Sequence, residues 1–204
     1  MSGPGAPIAR LIGATPVGWP GLIVIALGGV LFFATLVAMR MRVRGGGGSR
    51  SRLSAIGIAV QMIGIAAAGM GPIRATLAPT APASIAGAVL VAVLIGGSVL
   101  LFRSATAEMG RNWSLVARTR DDHELVTSGV FARVRNPIYC AMGLFLLALA
   151  LSFGHLRSLA VALPLFALGT ALRVAEEERL LRARFGSAYE AYAARVKRFV
   201  PGLF

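Results

Sequence analysis

The sequence holds one cysteine, Cys140, in 204 residues, which excludes an intramolecular disulfide and any cysteine-built metal cluster. Histidine is almost as scarce: there are two, and His123 has no neighbouring His or Cys with which to form a metal site. No metal centre is therefore expected. Acidic residues number eight against 21 Lys and Arg. Serine-hydrolase signatures are missing, as is a glycine-rich nucleotide fingerprint placed after a strand, so a nucleotide-like cofactor would have to bind outside a Rossmann framework. Charge itself is missing from three long stretches, residues 21–39, 53–73 and 85–102.

Each of these stretches reaches about the 20 residues that a membrane-spanning helix needs. With 56% hydrophobic residues and a mean hydropathy of +0.75, the chain is too apolar for a soluble domain. Two shorter apolar runs, 138–153 and 159–172, flank Gly154, His155, Leu156, Arg157 and Ser158 and read as a helical hairpin, spanning or re-entrant. The expected fold class is all-α, a polytopic membrane protein of about five transmembrane helices with a polar loop and a C-terminal broken helix on one side.

The distribution of Lys and Arg predicts the orientation. Eighteen of them flank the first, third and fifth spans on one side, and Arg10, Arg74 and Arg157 alone fall on the other. The positive-inside rule then puts the N-terminus outside and the C-terminus in the cytoplasm, as expected for the cytoplasmic membrane. All eight acidic residues lie on that same cytoplasmic side, so polar chemistry is expected there. The net charge of +13 is accounted for by orientation and by attraction to anionic lipid, because the basic residues flank spans; nucleic acid is not expected as a partner. The N-terminus lacks a charged n-region and a cleavage site, and the first span is expected to be retained.

Residues 1–103 read as a scaffold of three helices whose glycines, among them Gly28, Gly57 and Gly64, allow close helix approach. Residues 45–49 are a flexible linker by composition. Residues 104–204 are expected to be the functional part. The polar loop 104–135 is longer than a connector requires, and long loops on rigid scaffolds often carry function. The hairpin 138–172 follows. Beyond it, Leu181, Phe185, Tyr189, Tyr192 and Val196 share one helical face. Gly186 suits a helix C-terminus, and Ser187 with Glu190 suits a capping box for the next helix. This tail should fold back under the bundle, its apolar face against the membrane surface or the long loop.

Two clusters are candidates for chemistry. Residues 135–139, Arg-Asn-Pro-Ile-Tyr, form a polar knot before an apolar run, with Asn136 as N-cap and Pro137 at N1. Arg173 and Glu177 are four apart on one helical face, either as an ordinary solvated ion pair or as part of a site. Glu176, Glu177 and Glu178 in succession would attract a cationic ligand, and Arg173 could hold an anionic group bidentately.

The cytoplasmic half resembles the isoprenylcysteine carboxyl methyltransferase family, whose relatives include phospholipid N-methyltransferases. The likeness runs in order through residues 105–201: Gly110 and Trp113, then His123 to Val126, Thr127 to Phe131, Arg135 to Tyr139, Arg173 with Glu176 to Glu178, Phe185, Gly186, Tyr189, Tyr192 and Pro201. The resemblance implies an integral membrane enzyme that binds S-adenosyl-L-methionine from the cytoplasm between the hairpin and the C-terminal helix, and takes a lipophilic or lipid acceptor from the bilayer. It further implies that His123, Leu125, Val126 and Phe131 line the cofactor pocket and that Asn136, Pro137 and Tyr139 contact the cofactor. Glu177 would bind it from the C-terminal side and Arg173 would orient the acceptor. Asn136 stands where many members carry His, and Phe131 where Tyr is frequent.

The implied reaction is in-line methyl transfer from a sulfonium to a nucleophile, which needs alignment and exclusion of water more than an elaborate base. The acceptor is open between a prenylcysteine carboxylate and another apolar molecule or lipid. Two other readings are an NADPH-dependent enzyme like the sterol-type reductases and a non-enzymatic membrane scaffold. Oligomeric state is not legible.

Overall fold

The computed structural model describes residues 14–42, 51–110 and 124–203, and these are helical apart from short turns and two isolated bridges. The linker 45–49, Trp113 and His123 lie outside the described residues. Helix α1 spans Trp19–Arg42, α2 Arg52–Gly69, α3 Pro82–Met109, α4 Pro137–Ser152, α5 Leu159–Phe185 and α6 Ser187–Arg195. The protein is an all-α, multi-pass integral membrane protein. Four of its helices, α1, α2, α3 and α5, are long and apolar enough to cross a membrane. The remaining apolar helix, α4, has 16 residues. At about 1.5 Å per residue it falls short of the roughly 30 Å hydrocarbon core. It compensates by being the inner helix: Tyr139, Ala141, Leu146, Ala148 and Ala150 are all buried.

The outward faces of the long helices are apolar. Leu27 and Val30 of α1 and Val93 and Leu100 of α3 are each more than 60% exposed, an unfavourable surface in water and an ordinary one in lipid.

Helix pairing departs from chain order. α5 packs along α2, α4 along α3 and α1 along α3, whereas α4 and α5 touch only sparingly. The hairpin expected from residues 138–172 is therefore splayed. Small residues explain the choice of partners. A Cβ on Gly64 would lie 2.8 Å from the Phe166 nitrogen and 2.9 Å from the Ala162 carbonyl oxygen, so glycine there lets α2 reach the α5 backbone. Between α3 and α4, Ser98 donates a 2.7 Å hydrogen bond to the Ala141 carbonyl. Large side chains of α1, α3 and α4 make the apolar core, where Phe32 sits 4.7 Å from Phe102 and 5.0 Å from Phe145.

The two ends of the bundle are closed by different means. At one end the chain before α1, the α2–α3 link and the α4–α5 turn are stitched together. Thr15 N–H bonds the Gly154 carbonyl at 2.9 Å, Val17 N–H bonds that of Arg74 at 2.9 Å, and the His155 Nε2 bonds that of Pro72 at 3.2 Å. At the other end the residues after α6 run beside those before α4: Arg135 N–H bonds the Lys197 carbonyl at 2.9 Å and Asn136 N–H bonds that of Arg198 at 3.0 Å.

Local expectations fared unevenly. α3 continues six residues into the expected loop, because no helix breaker occurs until Gly110, which ends it at φ +49°. Gly186 ends α5 at φ +50°. The capping box of Ser187 and Glu190 does not form. Ser187 is already inside α6, Gly186 is the cap, and the Glu190 carboxylate accepts instead from Arg182 Nε at 2.8 Å.

Candidate active site

The splay between α4 and α5 leaves a cavity of about 400 Å³ at the cationic end of the bundle. That is within the range of small-molecule sites. Its floor is apolar, built from Phe32, Phe33 and Leu36 of α1, Met62 of α2 and Met142 and Phe145 of α4. Its upper wall is polar. The cavity lining includes Leu125, Val126, Phe131, Asn136, Pro137, Tyr139, Arg173 and Glu177, all the residues singled out from the sequence except His123, which is outside the described residues.

The knot before α4 is positioned from two sides. Pro137 occupies N1, where its missing N–H costs nothing. Asn136 stands at the N-cap position, yet its side chain makes no cap bond: its Nδ2 donates to the Arg198 carbonyl at 3.3 Å. The amide is thus recruited by the returning tail, and the cap expected from the Asn-Pro pair is a tether. One turn into α4, Tyr139 donates from its hydroxyl to Glu177 Oε1 on α5, bridging the two helices across the mouth of the cavity. The Arg173 guanidinium lies 4.9 Å above the Tyr139 ring and 3.7 Å from Glu177 Oε1. This pair is no solvated surface bridge, because the Arg173 side chain is only 7% exposed. Glu177, at 31%, opens towards the cavity.

The three consecutive carboxylates do not act as one acidic patch. Successive helical residues turn by about 100°, so they diverge. Glu176 faces away from the cavity and takes a bidentate contact from Arg179 at 2.9 and 2.8 Å. Glu177 faces the cavity. Glu178 faces the tail, where Arg198 binds both its oxygens at 2.8 Å, with Arg182 at 3.2 Å and Arg135 at 3.4 Å. Both Glu177 and Glu178 border the cavity; Glu178 is neutralised by three arginines, and Glu177, the more exposed at 31% against 4%, carries the negative field into it.

α6 closes the rim. Tyr189, Tyr192 and Val196 pack with Leu125, Leu181 and Phe185, the apolar face read from the spacing, and the loop at Leu125 is what covers it. The Tyr192 hydroxyl donates to the Phe131 carbonyl at 2.8 Å, and burial pushes its pKa up to about 12. Gly129, at φ +55°, lets the 3-10 turn Gly129–Ala132 deliver Phe131 to the wall.

Sequence reading missed three contributors. Gln61 of α2, fully buried, accepts from Arg173 Nη1 at 3.0 Å and donates to the Thr170 hydroxyl at 2.7 Å. It is the one amide in the apolar spanning helix α2, a polar signal that reading this span by its lack of charge does not use. Glu178 was read as one of a run. Arg135 was read only as part of a motif, whereas its Nε is buried on the cavity wall and has no hydrogen-bond partner among the described residues.

The sequence profile of the phospholipid methyltransferase family matches residues 84–188, from the start of α3 to the first turn of α6. The chain belongs to the phospholipid methyltransferase family. A curated relative, the protein-S-isoprenylcysteine O-methyltransferase of Schizosaccharomyces pombe, is 35% identical over 101 residues, which is 48% of this chain and 42% of that protein. The match thus spans under half the length of the relative. The match to the family profile takes in α4, α5 and the knot between residues 135 and 139, the elements that frame the polar wall of the cavity.

Proposed function

We propose that the protein is an integral membrane methyltransferase that uses S-adenosyl-L-methionine to methylate a lipophilic acceptor. The observation that carries this reading is one cavity in which a carboxylate, an aromatic ring and a buried cation share a wall above an apolar floor. The donor set fits the cofactor. The Glu177 carboxylate faces the cavity and is suited to the ammonium or sulfonium of the cofactor. Arg135 Nε is a buried donor suited to a carboxylate. Leu125 and Val126 run along the rim as non-helical backbone, able to offer amide and carbonyl groups to a base.

When bound, the cofactor supplies an electrophilic methyl group on sulfur. The chain's own residues supply geometry. Tyr139, held by Glu177, and Asn136, tied to the tail, fix one wall of the cavity. Phe32, Phe33 and Phe145 offer an apolar bed in which a hydrocarbon chain is shielded from water. Arg173, at the junction of polar wall and apolar floor, is suited to orient an acidic acceptor group. Alignment in a water-poor site supplies much of the rate for such a displacement. A prenylcysteine carboxylate fits these features, and so does a lipid whose reactive group reaches the same junction. The N-terminus is proposed to lie outside and the cationic end, with the cavity mouth, in the cytoplasm of a cell whose cytoplasmic membrane holds the protein.

Calorimetry on the detergent-purified protein tests the reading: S-adenosyl-L-methionine and its demethylated product should both bind. Replacing Glu177 with Ala should weaken binding by about tenfold or more, the loss expected for a charged contact. Absence of any binding at millimolar concentration sinks the proposal. Feeding labelled cofactor to membranes and extracting the lipids separates a lipid acceptor from a protein one.

A further inference from the structure

Helices α2 and α5 exchange polar side chains inside the bundle, and each has a glycine where the other's side chain passes. A Cβ on Gly57 would stand 2.6 Å from Arg173 Cγ, and one on Gly169 would stand 2.7 Å from Gln61 Cγ. The two helices are thus relieved at the places where Arg173 leans on α2 and Gln61 leans on α5. Neither Gln61 nor Gly57 lies within residues 84–188.

The bonding orients both groups. Arginine only donates, so Gln61 Oε1 must face Arg173 Nη1, at 3.0 Å. Gln61 Nε2 then points to the Thr170 hydroxyl at 2.7 Å, which holds the amide against rotation. Gln61, Glu177 and the Tyr139 ring beneath it each restrain the planar guanidinium. Of these restraints Glu177 and Tyr139 belong to the proposed cofactor wall. Gln61 acts from α2.

We propose that Gln61 is a positioning residue for the reaction, fixing the Arg173 guanidinium at the junction of polar wall and apolar floor so that it meets the acceptor. α2 thereby belongs to the reactive apparatus. The inference rests on the methyltransferase reading, and it assigns Gln61 to the acceptor side and not to cofactor binding.

The test uses the full chain in detergent, N-acetyl-S-farnesylcysteine as acceptor probe and S-adenosylhomocysteine as calorimetric probe. Q61L should raise the KM for the acceptor by about tenfold, the loss of one hydrogen bond to a charged group, while the Kd for S-adenosylhomocysteine stays within about threefold. Q61E keeps an acceptor for Arg173 and takes the Thr170 hydroxyl as donor, so it should return KM to within about threefold of the wild type. An unchanged KM in Q61L overturns the proposal. So does a KM that rises in step with the cofactor Kd and is not recovered in Q61E, which is the signature of general loosening. If Q61L does not fold, Thr170→Val carries the test, because it frees the Gln61 amide to rotate. A selective rise in KM then supports the assignment and an unchanged KM overturns it. A wild-type protein that neither binds S-adenosylhomocysteine nor methylates the probe removes the functional reading, and the proposal with it.

Discussion

Glu178 is the most heavily used charge in the described structure, and its replacement by Gln is a sharp test of how the cavity is held. The side chain is 4% exposed and serves Arg198 through two 2.8 Å bonds, Arg182 at 3.2 Å and Arg135 at 3.4 Å. Gln keeps the shape, removes the charge and turns an amide donor towards guanidinium donors. Breaking a buried pair by removing one partner costs about 3–5 kcal/mol when the stranded charge stays dry. Here Arg182 and Arg198 are 44% and 45% exposed and rehydrate, while Arg135, at 12%, stays dry. Discounting the two exposed arms for solvent screening leaves about 2 kcal/mol. For a chain of this size that lowers Tm by roughly 4–8 °C. Thermal unfolding of the purified protein in detergent measures it, and a double-mutant cycle with Arg198→Gln should give a coupling above about 0.5 kcal/mol. A variant that melts within about 1 °C of the wild type refutes the argument. It would mean that the backbone stitches at Arg135 and Asn136 hold the tail without the arginine cluster.

Tyr192 gives a pH-dependent outcome. Its phenol has a folded pKa raised from 10.0 to about 12, so the stability it contributes is complete below pH 10 and is lost as pH rises through about 12. The wild type should therefore lose stability over that window, and Tyr192→Phe, already lacking the bond to the Phe131 carbonyl, should start about 1 kcal/mol lower and fall less. Equal slopes in denaturant titrations across pH would count against this. For the proposed topology, a Cys140→Ala background carrying single cysteines at Arg157 or Lys197 should react with a membrane-impermeant thiol reagent from outside at 157, and at 197 only after permeabilisation; the reverse pattern inverts the orientation.

Much of this architecture was legible along the chain, because its signals are local. Charge-free runs of bilayer length need no partner to be recognised, and the spacing of Leu181, Phe185, Tyr189, Tyr192 and Val196 encodes a helical face wherever that face is used. Gly186 stops a helix through its own φ. The motif order that resembles a methyltransferase family led to Asn136, Tyr139, Arg173 and Glu177, and these residues line one cavity. Other features were hidden for a physical reason: they depend on which helices become neighbours.

Asn136 carries every local mark of a helix cap, and its amide is claimed by a carbonyl 62 residues away. Glu176, Glu177 and Glu178 are alike in composition; helical rotation gives them three environments and leaves Glu177 the most open to the cavity. Gln61 is an unremarked amide in an apolar run until α5, 109 residues on from it at Thr170, supplies both its partners. Residue types, spans and motif order follow from local hydrophobicity and spacing along the backbone. Helix pairing, and so the cavity between the splayed α4 and α5, follows from close contacts at Gly57, Gly64 and Gly169, which exist once distant segments of the chain have met.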